Sequence, residues 1–378
     1  MVDKSNKNIN FVNNKVVLRM ENIFGNRLAS ARKMAGISLQ ELSALLGEGG
    51  VTRQALNKYE QGKMKPESKV LTALAKALNI KVDYFFTKPN YEIKLEDVEY
   101  RKFLTKISKP QQASIEEKAK AAFERYFELE DILGKESNTE YFKYSPIVKD
   151  FEIAELAAKE LRKVWDLGYD AIPDVVEMLE DKGYKVAEID APEGFDGLKA
   201  KVNNEPVIAL NSNQKDSSDI VRKRFTALHE LAHHALKFPE EMKEKEQEKL
   251  CHAFASAVLY PEDMARRELH KDRFHFYEQE LILLKERWGI SISAIFSRAK
   301  QLELISEYVY KKFHIGFKQR GYHKPGAEPG RFLSKEKPMK LERLIYLGLA
   351  KEVLSINEAA YFAGINSWEL RKKMNRLV

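Results

Sequence analysis

The run FTALHELAHHALKF, residues 225–238, constrains this chain more than any other segment. His229 and His233 are four residues apart, so on a helix both imidazoles leave the same face. Two such groups converge on one cation, and for zinc the expected Zn–N distances are about 2.0–2.1 Å. Glu230 stands next to the first histidine, where a carboxylate reaches the water that the metal activates instead of the metal itself. That spacing predicts a metal site with Glu230 as general base. Ser217 or Ser218 caps the predicted helix, Val221, Phe225, Leu228 and Ala232 form its inward face, and Phe238-Pro239 ends it. His234 points about 100° away from His233 and reads as exposed, or as a partner that orients a ligand.

A catalytic zinc takes a third protein ligand and keeps a fourth position open. In EKLCHAFASAVLYP, residues 248–261, Glu248 and His252 share one helical face and both qualify. Cys251 between them reads as a buried small hydrophobe, with ligation as the alternative. The charged run EEMKEKEQEK before it reads as a solvated loop and helix start, or as a lid over the metal.

Nearer the N-terminus, a different pattern covers residues 21–88. Phe24, Leu28 and Ala31 give one helix, and Ser38 with Glu41 sets a capping box for a second, which buries Leu39, Leu42 and Leu46. A glycine-rich turn at 47–50 follows. The third helix turns Ala55, Leu56 and Tyr59 inward and presents Thr52, Arg53, Gln54, Asn57 and Lys58 outward. Side chains of these types at the start of a helix discriminate base edges in the major groove. Gln40, Lys58 and Lys63 are placed for phosphates. Eleven basic residues against six acidic ones lie in this segment, and the whole chain carries a formal charge of +7, so most of the surplus is here. Double-stranded DNA is the predicted partner.

These residues resemble two known families. TRQALNKYEQGKMKP and the 65 residues around it are similar to the Cro/cI-type (XRE) repressors, apart from a turn that is one residue longer. RFTALHELAHH together with EKLCHAFASAVLYP resembles the ImmA/IrrE metallopeptidases, and the likeness extends over about 145–330. In that family a glutamate placed like Glu248 completes the zinc site. The resemblance therefore implies His229, His233 and Glu248 as ligands, with His252 beside them as a competing ligand or an orienting partner. By the same resemblance, Val207–Leu210 of the strand PVIALN are candidates for contact with an extended substrate backbone, with an ordinary buried strand as the equal alternative. Tyr260 is the candidate electrophile for the oxyanion.

The fold class expected is mainly α with a small β-sheet (α+β), an all-α helix-turn-helix domain followed by a zincin-like metallopeptidase domain. The expected divisions are a polar extension at 1–20, the DNA-binding domain at 21–88, a helical connector at 89–140, the peptidase domain at 141–330 and a helical tail at 331–378. Within the tail, residues 355–377 have a faint helix-turn-helix look that a packing hairpin explains equally. The apolar stripe from Ile115 to Leu133 predicts a homodimer. Hydrophobic residues make up 44% of the chain and charged residues 32%, which excludes a disordered class. The chain lacks an apolar run of about 20 residues, and its N-terminus lacks a secretory signal, so no membrane partner is expected. One cysteine excludes an internal disulfide and agrees with a cytoplasmic location. The resemblance implies a zinc (Zn2+) endopeptidase that cleaves a repressor or similar regulator in stress-response or mobile-element control. The alternative is a non-catalytic XRE-type regulator with a structural or sensory zinc, possessing an antitoxin-like role.

Overall fold

The computed structural model describes residues 22–47, 50–86, 93–100, 107–134, 141–213 and 217–374. The extension at 1–20, Glu48 and Gly49 of the turn, Pro89 and the side chains of Ser217 and Ser218 lie outside the described parts. The chain divides into two units, one of residues 1–92 and 105–124, the other of 93–104 and 125–378.

The first unit packs α1 (Ile23–Met34), α2 (Leu39–Leu45), α3 (Arg53–Glu60) and α4 (Ser68–Ala77), with a 3-10 turn at Val82–Phe85. Their core is Leu28, Ala31, Leu42, Leu56, Tyr59, Leu74 and Phe85. The Ser38–Glu41 capping box forms as its spacing predicts: the Glu41 amide donates to Ser38 Oγ at 3.2 Å, and the Ser38 amide to Glu41 Oε2 at 2.6 Å. Arg32 ties the first helix to the third through a bidentate pair with Glu60, at 2.6 and 3.0 Å. Gly47 takes φ +84°, and Ser43 Oγ donates to Val51 O at 2.7 Å, so the longer turn is pinned to α2.

The second unit carries a four-stranded sheet of order β1-β3-β4-β2, formed by β1 (Glu96–Tyr100), β2 (Lys185–Ile189), β3 (Gly197–Val202) and β4 (Glu205–Asn211). Asn203 and Asn204, both with positive φ, close the β3–β4 hairpin in the conformation that two-residue hairpin turns require. β4 pairs antiparallel with β3 on one side and parallel with β2 on the other, and Val207 to Leu210 are wholly buried. This corrects the expectation that Val207–Leu210 receive a substrate strand: both hydrogen-bonding edges of β4 are already used.

On the sheet lies α8 (Ser217–Ala235), followed by α9 (Glu244–Leu259). Close approach is built in, since a Cβ at Gly197 would fall 2.8 Å from Thr226 Cγ2 on α8. Around this pair stand α6 (Phe151–Val164), α7 (Val175–Asp181), α10 (Glu262–Leu269), α11 (Glu278–Trp288), α12 (Ile292–Gln301) and α13 (Glu307–Gln319). α14 (Lys340–Ala350), α15 (Ile356–Ala363) and α16 (Ser367–Lys373) share a small core of Tyr126, Leu129, Leu344, Ile345, Leu354, Phe362 and Leu370.

β1 joins the sheet, and α5 (Lys109–Ile132) divides between the two units. Its stripe of Ile115, Ala119, Ala122, Tyr126 and Leu129 is buried within the chain, which removes the ground for a dimer along that face.

One buried ion pair fixes α8. Arg224 and Glu336 have no exposed side-chain surface and bond each other. Arg224 also donates to the carbonyls of Ile172, Pro173 and Gly289, while Glu336 accepts from the amides of Val175 and Val176 at the start of α7. Such a pair adds little net stability, but removing one partner strands the other charge in the core. Glu336→Ala should therefore destabilise the larger unit by about 3–5 kcal/mol in urea unfolding. A loss below about 1 kcal/mol would show that Arg224 finds water or another acceptor.

Candidate metal centre

α8 ends at Ala235, residues 236–243 turn the chain, and α9 runs back along it. The contacts fix the direction: His233 faces Glu248 and Cys251, and His229 faces His252. α9 is held in register by two buried arginines. Arg162 donates to Val258 O at 2.5 Å and to the carbonyls of Gly168 and Asp170, and burial lowers it to about 10. Arg298 donates to Tyr260 O and pairs with Glu155 at 2.7 and 2.8 Å.

Three donors converge. His229 Nε2 and His233 Nε2 are 3.1 Å apart, and Glu248 places Oε2 3.4 Å from the first and Oε1 3.2 Å from the second. Four ligands at about 2.0–2.1 Å from a tetrahedral ion stand about 3.3–3.4 Å from one another, so this triangle fits zinc. The donor set also fits, being two imidazoles and a carboxylate. His229 is fully buried and His233 nearly so. Burial acts to lower the His233 pKa, but its contacts with Cys251 and Glu248 outweigh that and raise it to about 11. Burial acts to raise Glu248, but His229 and His233 hold its carboxyl well below the usual range. The two imidazoles thus favour the ionised form of the Glu248 carboxyl between the helices.

Glu230 is 1% exposed and its charge acts on both His233 and Cys251. His252 packs at a tilt against His229 with ring centroids 4.6 Å apart, and His229, Glu248 and His252 also bring ligand atoms within 4.8 Å of one another. His252 thus lies beside the triangle as a fourth possible donor.

Cys251 is buried, as its reading as a small hydrophobe requires, and Sγ is 3.8 Å from His233 Nδ1. It touches the ring nitrogen turned away from the donors, an orienting contact that sequence reasoning missed. Burial raises its thiol above the ordinary value. His234 is not exposed: its Nε2 lies 3.3 Å from Val207 O. Burial and the nearby Lys199 lower it to about 3, so it is a neutral ring that pins α8 to β4.

Tyr260 does not join the donors. It is fully buried, its hydroxyl donates to Glu268 Oε2 at 3.0 Å, and its ring packs on Trp288. Twelve residues of helix separate it from Glu248, about 18 Å along the axis. Its expected role as electrophile is thus replaced by packing, because the hydroxyl is directed into the interior.

In the smaller unit, Gln40, Thr52, Arg53, Gln54, Asn57, Lys58 and Lys63 are all exposed. Thr52 caps α3 by accepting from the Ala55 amide at 3.2 Å, so Arg53 and Gln54 begin the first helical turn. α1, α2 and α3 form a helix-turn-helix, and α8 with α9 on a small sheet form the α+β domain expected after it.

Comparison with known proteins agrees with both. A helix-turn-helix family model matches residues 28–85, and an IrrE N-terminal-like domain model matches 179–300. An SPbeta prophage-derived uncharacterized HTH-type transcriptional regulator, YonR, of Bacillus subtilis (strain 168) is 34% identical over 76 residues, 20% of this chain and 68% of that protein. The chain belongs to the helix-turn-helix regulator family, of the Cro/cI (XRE) type, and joins that domain to an ImmA/IrrE-like domain.

If Glu248 completes the triangle and His252 only supports it, Glu248→Ala should weaken zinc retention at least about 10-fold and His252→Ala less. Metal content after competition with a chelator measures both, and the reverse order would move the third ligand to His252.

Proposed function

We propose that this protein is a DNA-binding, zinc-dependent endopeptidase whose substrate is a transcriptional repressor or similar regulator, in stress-response or mobile-element control. The observation that carries this reading is the 3.1–3.4 Å triangle of His229, His233 and Glu248, with buried Glu230 next to the first of them. Zinc, when bound, supplies a Lewis acid that polarises a peptide carbonyl and lowers the pKa of water held there. His229, His233 and Glu248 would hold the ion, and Cys251 would orient His233 through Nδ1. Glu230 accepts the proton of the attacking water and passes it to the leaving amine. The carboxylate of Glu230 suits that task because it is held in a largely dry pocket and is kept out of the ligand triangle by its place on the helix.

The exposed start of α3 supports direct readout. Arg53 and Gln54 have the chemistry for base edges, and Lys58, Lys63 and Gln40 flank them for phosphates. A second reading rests on His252: a site closed by all four of His229, His233, Glu248 and His252 would make the zinc structural or sensory, in a non-catalytic regulator.

Glu230→Gln tests the catalytic reading, and a zinc-loaded unmodified protein that cleaves nothing would favour the second. The variant should keep stoichiometric zinc and abolish cleavage of the regulator, whereas loss of zinc would place Glu230 among the ligands. For the DNA half, Arg53→Ala or Gln54→Ala should remove about 1–3 kcal/mol of discrimination at particular base pairs. Lys63→Ala should weaken all duplexes alike and flatten the salt dependence. Equal losses on specific and random DNA for Arg53→Ala would make α3 a phosphate anchor.

A further inference from the structure

A groove of about 590 Å³ runs beside the donor cluster, within the range of about 300–1,000 Å³ typical of ligand clefts. Its floor includes Phe225 and Phe317, and one wall comes from α13 and the segment 322–328. The floor adjoins the donors: the Phe225 ring centroid is 5.6 Å from that of His252, which packs against His229, and Phe225 precedes His229 by one turn of α8. Phe225 is thus the link between the groove and the donor cluster.

The charges of this groove are unevenly used. Glu328 turns its carboxylate inward to the Ile292 amide, and Arg222 is paired with Asp196 at 2.7 Å. Lys318 and Lys324 line the groove and are exposed, and among the described residues no carboxylate pairs with either. His314 lines the same wall, with Nε2 buried and without a hydrogen-bond partner in the described residues. The acid is spent on backbone amides and the lysines are not spent at all.

We propose that this groove selects the substrate by charge, taking an acidic peptide segment whose carboxylates meet Lys318 and Lys324 while its apolar side chains rest on Phe225 and Phe317. The inference rests on the peptidase reading of the donor cluster and names the class of chain it would accept. An apolar floor under two cations suits a peptide that mixes acidic and apolar residues. Single-stranded nucleic acid is the less favoured occupant, because it requires a longer cationic track with a succession of stacking rings.

The test uses full-length protein carrying Glu230→Gln, which binds without cutting. The probes are a fluorescein-labelled decapeptide of alternating Glu and Leu, its Lys/Leu counterpart and a ten-nucleotide single-stranded DNA, followed by fluorescence anisotropy at about 50 mM salt, where screening is modest. The acidic peptide should bind at least 10-fold tighter than the basic one. Lys318→Glu with Lys324→Glu should reverse that order at unchanged zinc content, and the milder Lys318→Ala with Lys324→Ala should abolish the preference if the charge reversal impairs folding. The proposal is overturned if neither double variant alters the preference, if no peptide binds, or if DNA displaces the acidic peptide in a Lys318- and Lys324-dependent way. Parallel cleavage by the unmodified enzyme keeps the two readings apart. Lysine-dependent acidic binding without any cleavage supports the groove and removes the peptidase, whereas cleavage with no charge preference supports the peptidase and removes the groove.

Discussion

The antiparallel packing of α8 against α9 is the constraint on which the rest of the larger unit depends. Neither helix holds a metal triangle alone: His229 and His233 come from one, and Glu248 comes from the other across a turn of eight residues. A shift of one residue in either helix would rotate its ligands by about 100° and scatter the donors. The surrounding structure resists that shift at several points. Arg224 and Glu336 lock α8 to the start of α7, Gly197 lets Thr226 approach the sheet, and His234 reaches β4. Arg162 and Arg298 hold the carbonyls at the far end of α9. Four buried or nearly buried charges are a large desolvation load, and they are spent on positioning two helices.

The helix-turn-helix unit is built on separate principles. It has its own apolar core, a bidentate ion pair and a capping box, and the exposed polar side chains at the start of α3 carry little structural duty apart from the Thr52 cap. Exposed side chains that are free of packing roles can vary without unfolding their support. In the larger unit, function and stability share residues: Cys251 and His252 pack in the interior while touching the ligands.

Much of this was legible from sequence because it depends on short-range periodicity. The helical spacing of His229 and His233, the Ser38–Glu41 box and the inward set Leu56 and Tyr59 all follow from 3.6 residues per turn. β4 was recognisable as a strand, but its place in the sheet was not. Only the pairing partners reveal β4 as an interior strand, so Val207–Leu210 could not be rejected as a docking edge beforehand. The stripe on α5 was read correctly as apolar, yet what covers it is long-range information. Tyr260 failed for the same reason, since its partner Glu268 and neighbour Trp288 lie on later helices. Glu336 carried no local signal: it sits in an irregular segment with an unremarkable sequence, and its importance arises from a charge on α8 more than a hundred residues earlier.

The central claim is that the centre holds zinc through two imidazoles and one carboxylate and leaves a coordination position for water. X-ray absorption at the zinc edge of the loaded full-length protein tests it most directly. The account predicts a first shell of nitrogen and oxygen only, at about 2.0–2.2 Å, with two histidine scattering patterns. A sulfur at about 2.3 Å, from Cys251, or a third histidine pattern, from His252, would contradict it and make the centre a closed one.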